Sequence, residues 1–231
     1  MVNTVIDYLQ GNSDMAVAIR LLLATFCGSL IGWERVVRRH SAGIRTFALV
    51  SLGSAVAAVL NIYLAMIPDM NADVSRIPAG VVSGIGFLGA GTIIVTGRNQ
   101  IKGLTTAASL WVASCMGMAF GAGYITVGLV CFGFVMVANI ILVHVSQKIE
   151  ENSRYVSLYI EVEETNGVKK LKKKFIELGY HISSMNKTKD KTLSGSDTAL
   201  MIELDFGRKH YHQELIDELN NLDFVSYLEE V

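Results

Sequence analysis

Few residues in this chain stand where they could do chemistry, and their positions limit what that chemistry is. Cys27, Cys115 and Cys131 lie inside apolar runs and form no CxxC pair, so they read as small buried hydrophobes. His181, His210 and His212 have no Cys or acid at metal-ligand spacing and read as surface residues. Gly84-Ile-Gly86-Phe-Leu-Gly89 matches the dinucleotide fingerprint, but that fingerprint needs a strand before it and an acid about 20 residues after it. Here it sits in an apolar run, and the next acid is Glu150. Glycines at 84, 86, 89 and 91 point instead to a helix that packs very closely or is locally broken; a broken helix in a membrane exposes backbone groups that hold ions or small polar ligands. No nucleophile–base pair stands out, so neither an enzyme nor a cofactor is expected.

Ionisable residues inside apolar runs are costly in lipid and are the natural functional candidates. They are Arg20, one turn into the first run and placed to snorkel towards the membrane surface, Glu34 and Arg35 at the end of that run, and His144 near the end of the last. No Asp or Glu stands near the middle of a run. The polar groups at depth are Thr25, Ser29, Asn61, Ser83, Thr92, Ser109, Ser114 and Asn139.

The elements that must position these residues follow from composition. The 231-residue chain is 51% apolar and 18% charged, against about 25% charged in a soluble domain. Residues 1–150 hold nine Lys/Arg and six Asp/Glu, whereas residues 151–231 hold eleven and fifteen. That break reads as a membrane domain, 1–150, and a soluble domain, 151–231. A bilayer core about 30 Å thick needs roughly 20 apolar helical residues. Five spans are predicted, at 16–33, 44–67, 77–95, 104–122 and 124–145. No secretory signal is visible in the first 14 residues, so the N-terminus is expected to be kept.

Basic turns alternate with non-basic ones. Arg35, Arg38, Arg39 and Arg45 follow the first span, Asp69 and Asp73 the second, and Arg98 and Lys102 the third. The basic side faces the cytoplasm, which puts the N-terminus outside and the C-terminal domain inside. Gly28/Gly32, Gly80/Gly84 and Gly117/Gly121 are small residues four apart, the spacing that lets helix backbones meet in lipid. They are read as packing within one bundle, with contact in a homo-oligomer as the alternative.

From residue 155 the periodicity changes. Val156, Leu158, Ile160 and Val162 alternate with Ser157, Tyr159 and Glu161, a half-buried strand. A helix over 168–178, strands over 180–188 and 200–206, a helix over 210–222 and a strand over 224–231 complete a βαββαβ order. That is a small α+β ferredoxin-like domain of the kind found in ACT sensor domains and in RRM RNA binders. The RRM signature asks for aromatics on the third strand, where this chain has Thr198-Ala-Leu-Met-Ile-Glu-Leu-Asp-Phe206. The acidic balance of 11 bases to 15 acids also opposes nucleic acid. The lysines from Lys169 to Lys174 read as a solvated helix face, with anionic lipid headgroups as the alternative contact.

Four strings then stand together: Gly32-Trp-Glu34-Arg35; Ala42-Gly43-Ile-Arg45-Thr46; Val82-Ser-Gly84-Ile-Gly86-Phe-Leu-Gly89-Ala-Gly91; and Gly103-Leu-Thr105-Thr106-Ala-Ala-Ser-Leu-Trp111. In this order and spacing the chain closely resembles the MgtC/SapB family of bacterial membrane proteins, over roughly residues 16–145. The resemblance implies five transmembrane helices, the bacterial plasma membrane, and, in the longer members, a cytoplasmic ACT-like domain. Members are described as Mg²⁺ transporter candidates, and some are linked to growth in low Mg²⁺ and to survival inside host cells. The resemblance further implies a regulatory role: binding and restraining the proton-translocating ATP synthase and other membrane partners. Mg²⁺ binds oxygen ligands, usually one or two carboxylates with waters, and the lack of mid-span acids argues against robust transport by this chain. Within the shared strings, Glu34, Arg35, Arg45, Thr46, Thr105 and Thr106 would converge at one membrane surface. Arg45 is placed to pair with Glu34, and the cluster is expected to be the working site or a gate.

Overall fold

The computed structural model describes residues 8–11, 13–69, 73–96, 101–150, 153–163, 166–187, 198–206 and 212–230. Contacts divide the chain into two compact units, one of Met1–Ile94 with Ile101–Leu142 and one of Val95–Gln100 with Val143–Val231.

In the first unit, α1 (Asp14–Val37) starts at Ser13, whose hydroxyl accepts from the Ala16 N–H at 3.3 Å. After α2 (Ile44–Ala65) and α3 (Arg76–Ala90) come two short paired strands, β1 (Ile94–Val95) and β2 (Ile101–Lys102). Then follow α4 (Leu104–Gly121) and α5 (Ile125–Val137), the latter continued by a π-helical turn, Ala138–Leu142. Among the described residues, four helices are long and apolar enough to cross a membrane: Asp14–Val37, Ile44–Ala65, Leu104–Gly121 and Ile125–Ile149. The last includes the π-turn and much of α6 (Val143–Glu150).

The helix predicted over 77–95 ends early, at Ala90. It has 15 residues, about 22 Å at the helical rise. Glycines at 84, 86, 89 and 91 weaken helix propensity there. The Thr92 hydroxyl donates to the Gly89 carbonyl at 2.8 Å, closing the last turn. The β-branched Ile93, Ile94 and Val95 then extend rather than coil. Gly103, at φ +97, turns the chain back into α4, and a Cβ there would overlap the Thr92 carbonyl.

The bundle is organised on α2, whose backbone is approached by two helices. A Cβ on Gly28 would lie 2.6 Å from the Phe47 carbonyl oxygen, and one on Gly32 would lie 2.6 Å from the Ile44 Cα. Further along the same i, i+4 stripe, a Cβ on Gly117 would overlap the Ser51 carbonyl, and one on Gly121 that of Ala55. Both glycine pairs therefore bring α1 and α4 onto the main chain of α2. Between them pack Ala24, Cys27, Ile31, Phe47, Ala55, Leu110, Ala113, Met116 and Phe120. Ser54 and Ser114 share a hydrogen bond of 2.7 Å inside this core. Gly80 and Gly84 do not take part: among the described residues, no atom beyond the helix's own backbone lies within 4 Å of a Cβ built at either, or at Gly86. Only Ile85 and Gly89, one turn apart, are buried on α3, so its other faces stay open and Phe87 is 82% exposed.

The second unit carries β3 (Tyr155–Val162), α7 (Gly167–Glu177), β4 (His181–Lys187), β5 (Thr198–Asp205), α8 (His212–Asn220) and β6 (Val225–Glu230). The sheet order is β4-β5-β3-β6, with every neighbouring pair antiparallel. Val156, Leu158, Ile160 and Val162 share one core with Leu171 and Phe175 of α7 and Leu215 and Leu219 of α8. Gly179, at φ +76, ends the α7 turn. The lysine face is partly paired: Lys174 reaches Glu218 at 2.8 Å, and Lys173 reaches Glu177 at 3.6 Å. The half-buried strand is corrected too, since Tyr159 and Glu161, on its polar side, are buried. The strand is central in the sheet, the Tyr159 hydroxyl donates to Glu161 Oε1 at 2.9 Å, and Tyr227 packs edge-on against Tyr159.

The glycine contacts give a direct contrast. Gly117→Ala and Gly121→Ala push a methyl into the α2 backbone and should each cost about 1–3 kcal/mol, read as a lower unfolding midpoint in detergent. Gly84→Ala enters open space and should leave the midpoint unchanged or raise it. Equal damage from all three would contradict this packing.

Candidate functional site

The buried stripe of α1 runs through Ala16, Arg20, Ala24, Cys27, Gly28, Ile31, Gly32 and Arg35. The i, i+4 and i+7 spacing of a helix puts these on one face, so two arginines lie on the stripe that packs into the bundle. At its end, Arg35 is 1% exposed, and its Nη2 donates to the Thr106 hydroxyl at 2.9 Å. The Arg35 Nε, also buried, has no hydrogen-bond partner. A buried guanidinium with a spare N–H is costly unless something accepts from it.

Glu34 is rotated about 100° from Arg35 on the helix and leaves that stripe. Its side chain is 9% exposed, with Arg38 Nε 2.6 Å from Oε1. The approach is off the hydrogen-bond axis, so the contact is an ion pair and neither carboxylate oxygen accepts a formed hydrogen bond. The expected Glu34–Arg45 pair is therefore corrected. Arg38 stands one turn along the same helix, at the i, i+4 spacing that favours such pairs, and reaches the carboxylate first. Arg45 and Thr46 are exposed in the first turn of α2, and Thr105 is exposed in the first turn of α4. Of the six residues expected to converge, Arg35 and Thr106 meet in the interior, Glu34 borders a separate cleft, and Arg45, Thr46 and Thr105 face outward.

The turn between α1 and α2 is held close by Gly32, beneath Gly43 and Ile44. Arg39 adopts φ +58 there, and the His40 N–H donates to the Arg35 carbonyl at 3.0 Å. The glycines at 84, 86, 89 and 91 contribute no polar contact to this pair. Gly89 makes ordinary contact with Ala107 of α4, and Gly91 sits over the Leu88 carbonyl.

Arg20 is the other correction. It does not snorkel; it is 1% exposed, carried inward by the same stripe as Ala16 and Ala24. Gly123, at φ +85, makes room for it, since a Cβ there would lie 2.8 Å from Nη1. The guanidinium thus lies beside the turn after α4, near the carbonyl end of that helix, where a cation is favoured. Sequence reasoning missed Arg38 as the partner of Glu34, although the spacing carried the signal, and missed the π-turn, in which Asn139, expected at depth, is buried. Among the described residues, no group of three or more His, Cys, Asp or Glu could hold a metal ion.

The profile of the MgtC family matches residues 21–148, which include Glu34, Arg35, Arg38 and Thr106. The "Putative magnesium transporter YhiD" of Escherichia coli K12 is 43% identical over 122 residues, 51% of this chain and 55% of that protein. Protein MgtC of Salmonella typhimurium is 41% identical over 133 residues, 58% of this chain and 55% of that protein. A Haemophilus influenzae protein is 39% identical over 111 residues, 46% of this chain and 47% of its own length. The chain spans about half the length of the curated relatives it matches. No solved structure matches it.

Thr106→Val removes the acceptor from a buried charged donor and should cost about 1.5–3 kcal/mol. In a double-mutant cycle with Arg35→Leu, the second substitution should cost little once the first is made. Strict additivity would mean that the two side chains do not interact.

Proposed function

The chain belongs to the MgtC family, and on that premise we propose that it serves Mg²⁺ homeostasis as a regulator that binds and restrains another membrane complex. The observation that carries this reading is the uneven use of glycine. Gly28, Gly32, Gly117 and Gly121 are spent on the α2 backbone, which fills the bundle centre, whereas Gly80, Gly84 and Gly86 meet nothing. They lie on α3 beside exposed Phe87 and Leu88. A helix face with small residues and no neighbour is a surface onto which a partner's transmembrane helix can pack closely. A proton-translocating ATP synthase is the partner class that the resemblance suggests; a second copy of this chain is the other occupant.

In this reading the protein sits in the bacterial plasma membrane. The turns bearing Arg35, Arg38, Arg39 and Arg45, and the turn bearing Arg98 and Lys102, face the cytoplasm. The short α3 makes a fifth crossing by thinning the bilayer locally, so the N-terminus lies outside and the second unit inside. That unit is a ferredoxin-like domain of ACT type, supported by its β3-α7-β4-β5-α8-β6 order and its antiparallel β4-β5-β3-β6 sheet. Such a domain suits sensing of a small ligand.

A transporter of Mg²⁺ or another small solute is the second reading. The buried Arg35–Thr106 pair with its spare Nε donor is a polar spot in the bundle interior that suits an anionic or neutral solute and disfavours Mg²⁺ itself. The name of the Escherichia coli relative also points to transport.

Purified full chain in liposomes separates the two. The regulatory reading expects no Mg²⁺ flux above empty vesicles, and a membrane partner that co-purifies in stoichiometric amount and is lost in Gly84→Leu. Flux above empty vesicles, abolished by Arg35→Leu, would establish transport instead.

A further inference from the structure

A second feature stands apart from the regulatory reading and does not depend on it. Between α1 and the π-turn end of α5 lies a cleft of about 360 Å³, walled by Leu30, Trp33, Met136 and Ile140 and bordered by Glu34 and Arg38. The Glu34 side chain is more than nine-tenths buried, and among the described residues neither of its oxygens accepts a well-aligned hydrogen bond, with Arg38 Nε 2.6 Å from Oε1 as an ion pair. An ionised carboxylate offers about four acceptor positions, and leaving them unmet in an apolar site is expensive. Arg38 meets the charge of Glu34 but not its hydrogen-bonding capacity, while its own side chain remains 25% exposed. Trp33 is more than half exposed beside the cleft, and tryptophan prefers the headgroup level of a bilayer. The π-helical turn that carries Ile140 is a distortion found frequently at functional sites.

We propose that this cleft binds one phospholipid whose headgroup carries both a primary ammonium and a phosphate, as in phosphatidylethanolamine. The ammonium donates to Glu34, the phosphate accepts from Arg38, and an acyl chain lies along Leu30, Met136 and Ile140. The charges select this occupant. A trimethylammonium headgroup has no N–H to give to Glu34, and a purely anionic headgroup would engage Arg38 but bring no donor to the Glu34 carboxylate.

The test uses the full chain with Trp111→Phe, so that Trp33 alone reports, reconstituted in phosphatidylcholine nanodiscs. Trp33 quenching is compared for phosphatidylethanolamine, phosphatidylcholine and phosphatidylglycerol, each carrying brominated acyl chains. A charge-assisted hydrogen bond corresponds to a preference of about tenfold for phosphatidylethanolamine over phosphatidylcholine. Glu34→Gln should reduce that preference to near one while the circular dichroism spectrum stays unchanged. Native mass spectrometry of the unsubstituted chain should retain one phosphatidylethanolamine. Equal quenching by all three lipids, which is ordinary boundary contact, would overturn the proposal. So would a preference for phosphatidylglycerol, which would make Arg38 a simple anion site.

Discussion

Lipid tails are as apolar as the side chains they surround, so helices in a bilayer gain little by hiding apolar surface from one another. What remains is close van der Waals contact, and here it is concentrated on one main chain. The α2 backbone is met by Gly28 and Gly32 of α1 at Phe47 and Ile44, and by Gly117 and Gly121 of α4 at Ser51 and Ala55. Each contact requires the absence of a Cβ. Together they fix the distance of α1 and α4 from α2, and so from each other, and the polar contacts that bridge these helices inherit that spacing.

The Arg35–Thr106 hydrogen bond is the clearest case. Its partners are 71 residues apart and lie on helices both seated against α2. If either glycine pair were replaced by larger residues, α1 or α4 would move outward and the guanidinium would lose its acceptor while still buried. The Ser54–Ser114 hydrogen bond rides on the same contact. By contrast, α3 buries fully only Ile85 and Gly89, with Ile77, Pro78, Val81 and Val82 half-buried, so the bundle combines a close-packed centre with one less engaged helix. That contrast places the rigid polar pair and the open glycine face on different elements.

Much of this was legible in the sequence. The four long helices follow from apolar run length, and their ends fall within a few residues of expectation because Ser13, Gly43 and Gly103 mark the boundaries. Strand periodicity in the second unit was equally direct, as with Val156, Leu158, Ile160 and Val162. Four-residue glycine spacing, however, says only that a close approach is available, not whether a neighbour arrives. Gly117/Gly121 and Gly80/Gly84 look alike on paper and differ completely in surroundings. The end of α3 depended on a local hydrogen bond from Thr92 and on the extended preference of the residues after it, neither visible to a hydropathy window. Glu34 pairs with its i, i+4 neighbour, Arg38, rather than with the more distant Arg45, because one helical turn already brings Arg38 to the carboxylate. Arg20, Tyr159 and Glu161 were expected near water because of their chemistry; helical phase in one case and a central strand position in the others carried them inside.

The claim beneath all of this is that α4 lies directly on α2. A chain with Ser54→Cys and Ser114→Cys, its native Cys27, Cys115 and Cys131 replaced, would measure it in membranes by oxidative cross-linking. The account predicts rapid, intramolecular disulfide formation between the two introduced thiols, seen as an internal loop by proteolysis and mass spectrometry. No cross-link under conditions that oxidise exposed thiols, in a protein that inserts normally, would contradict it.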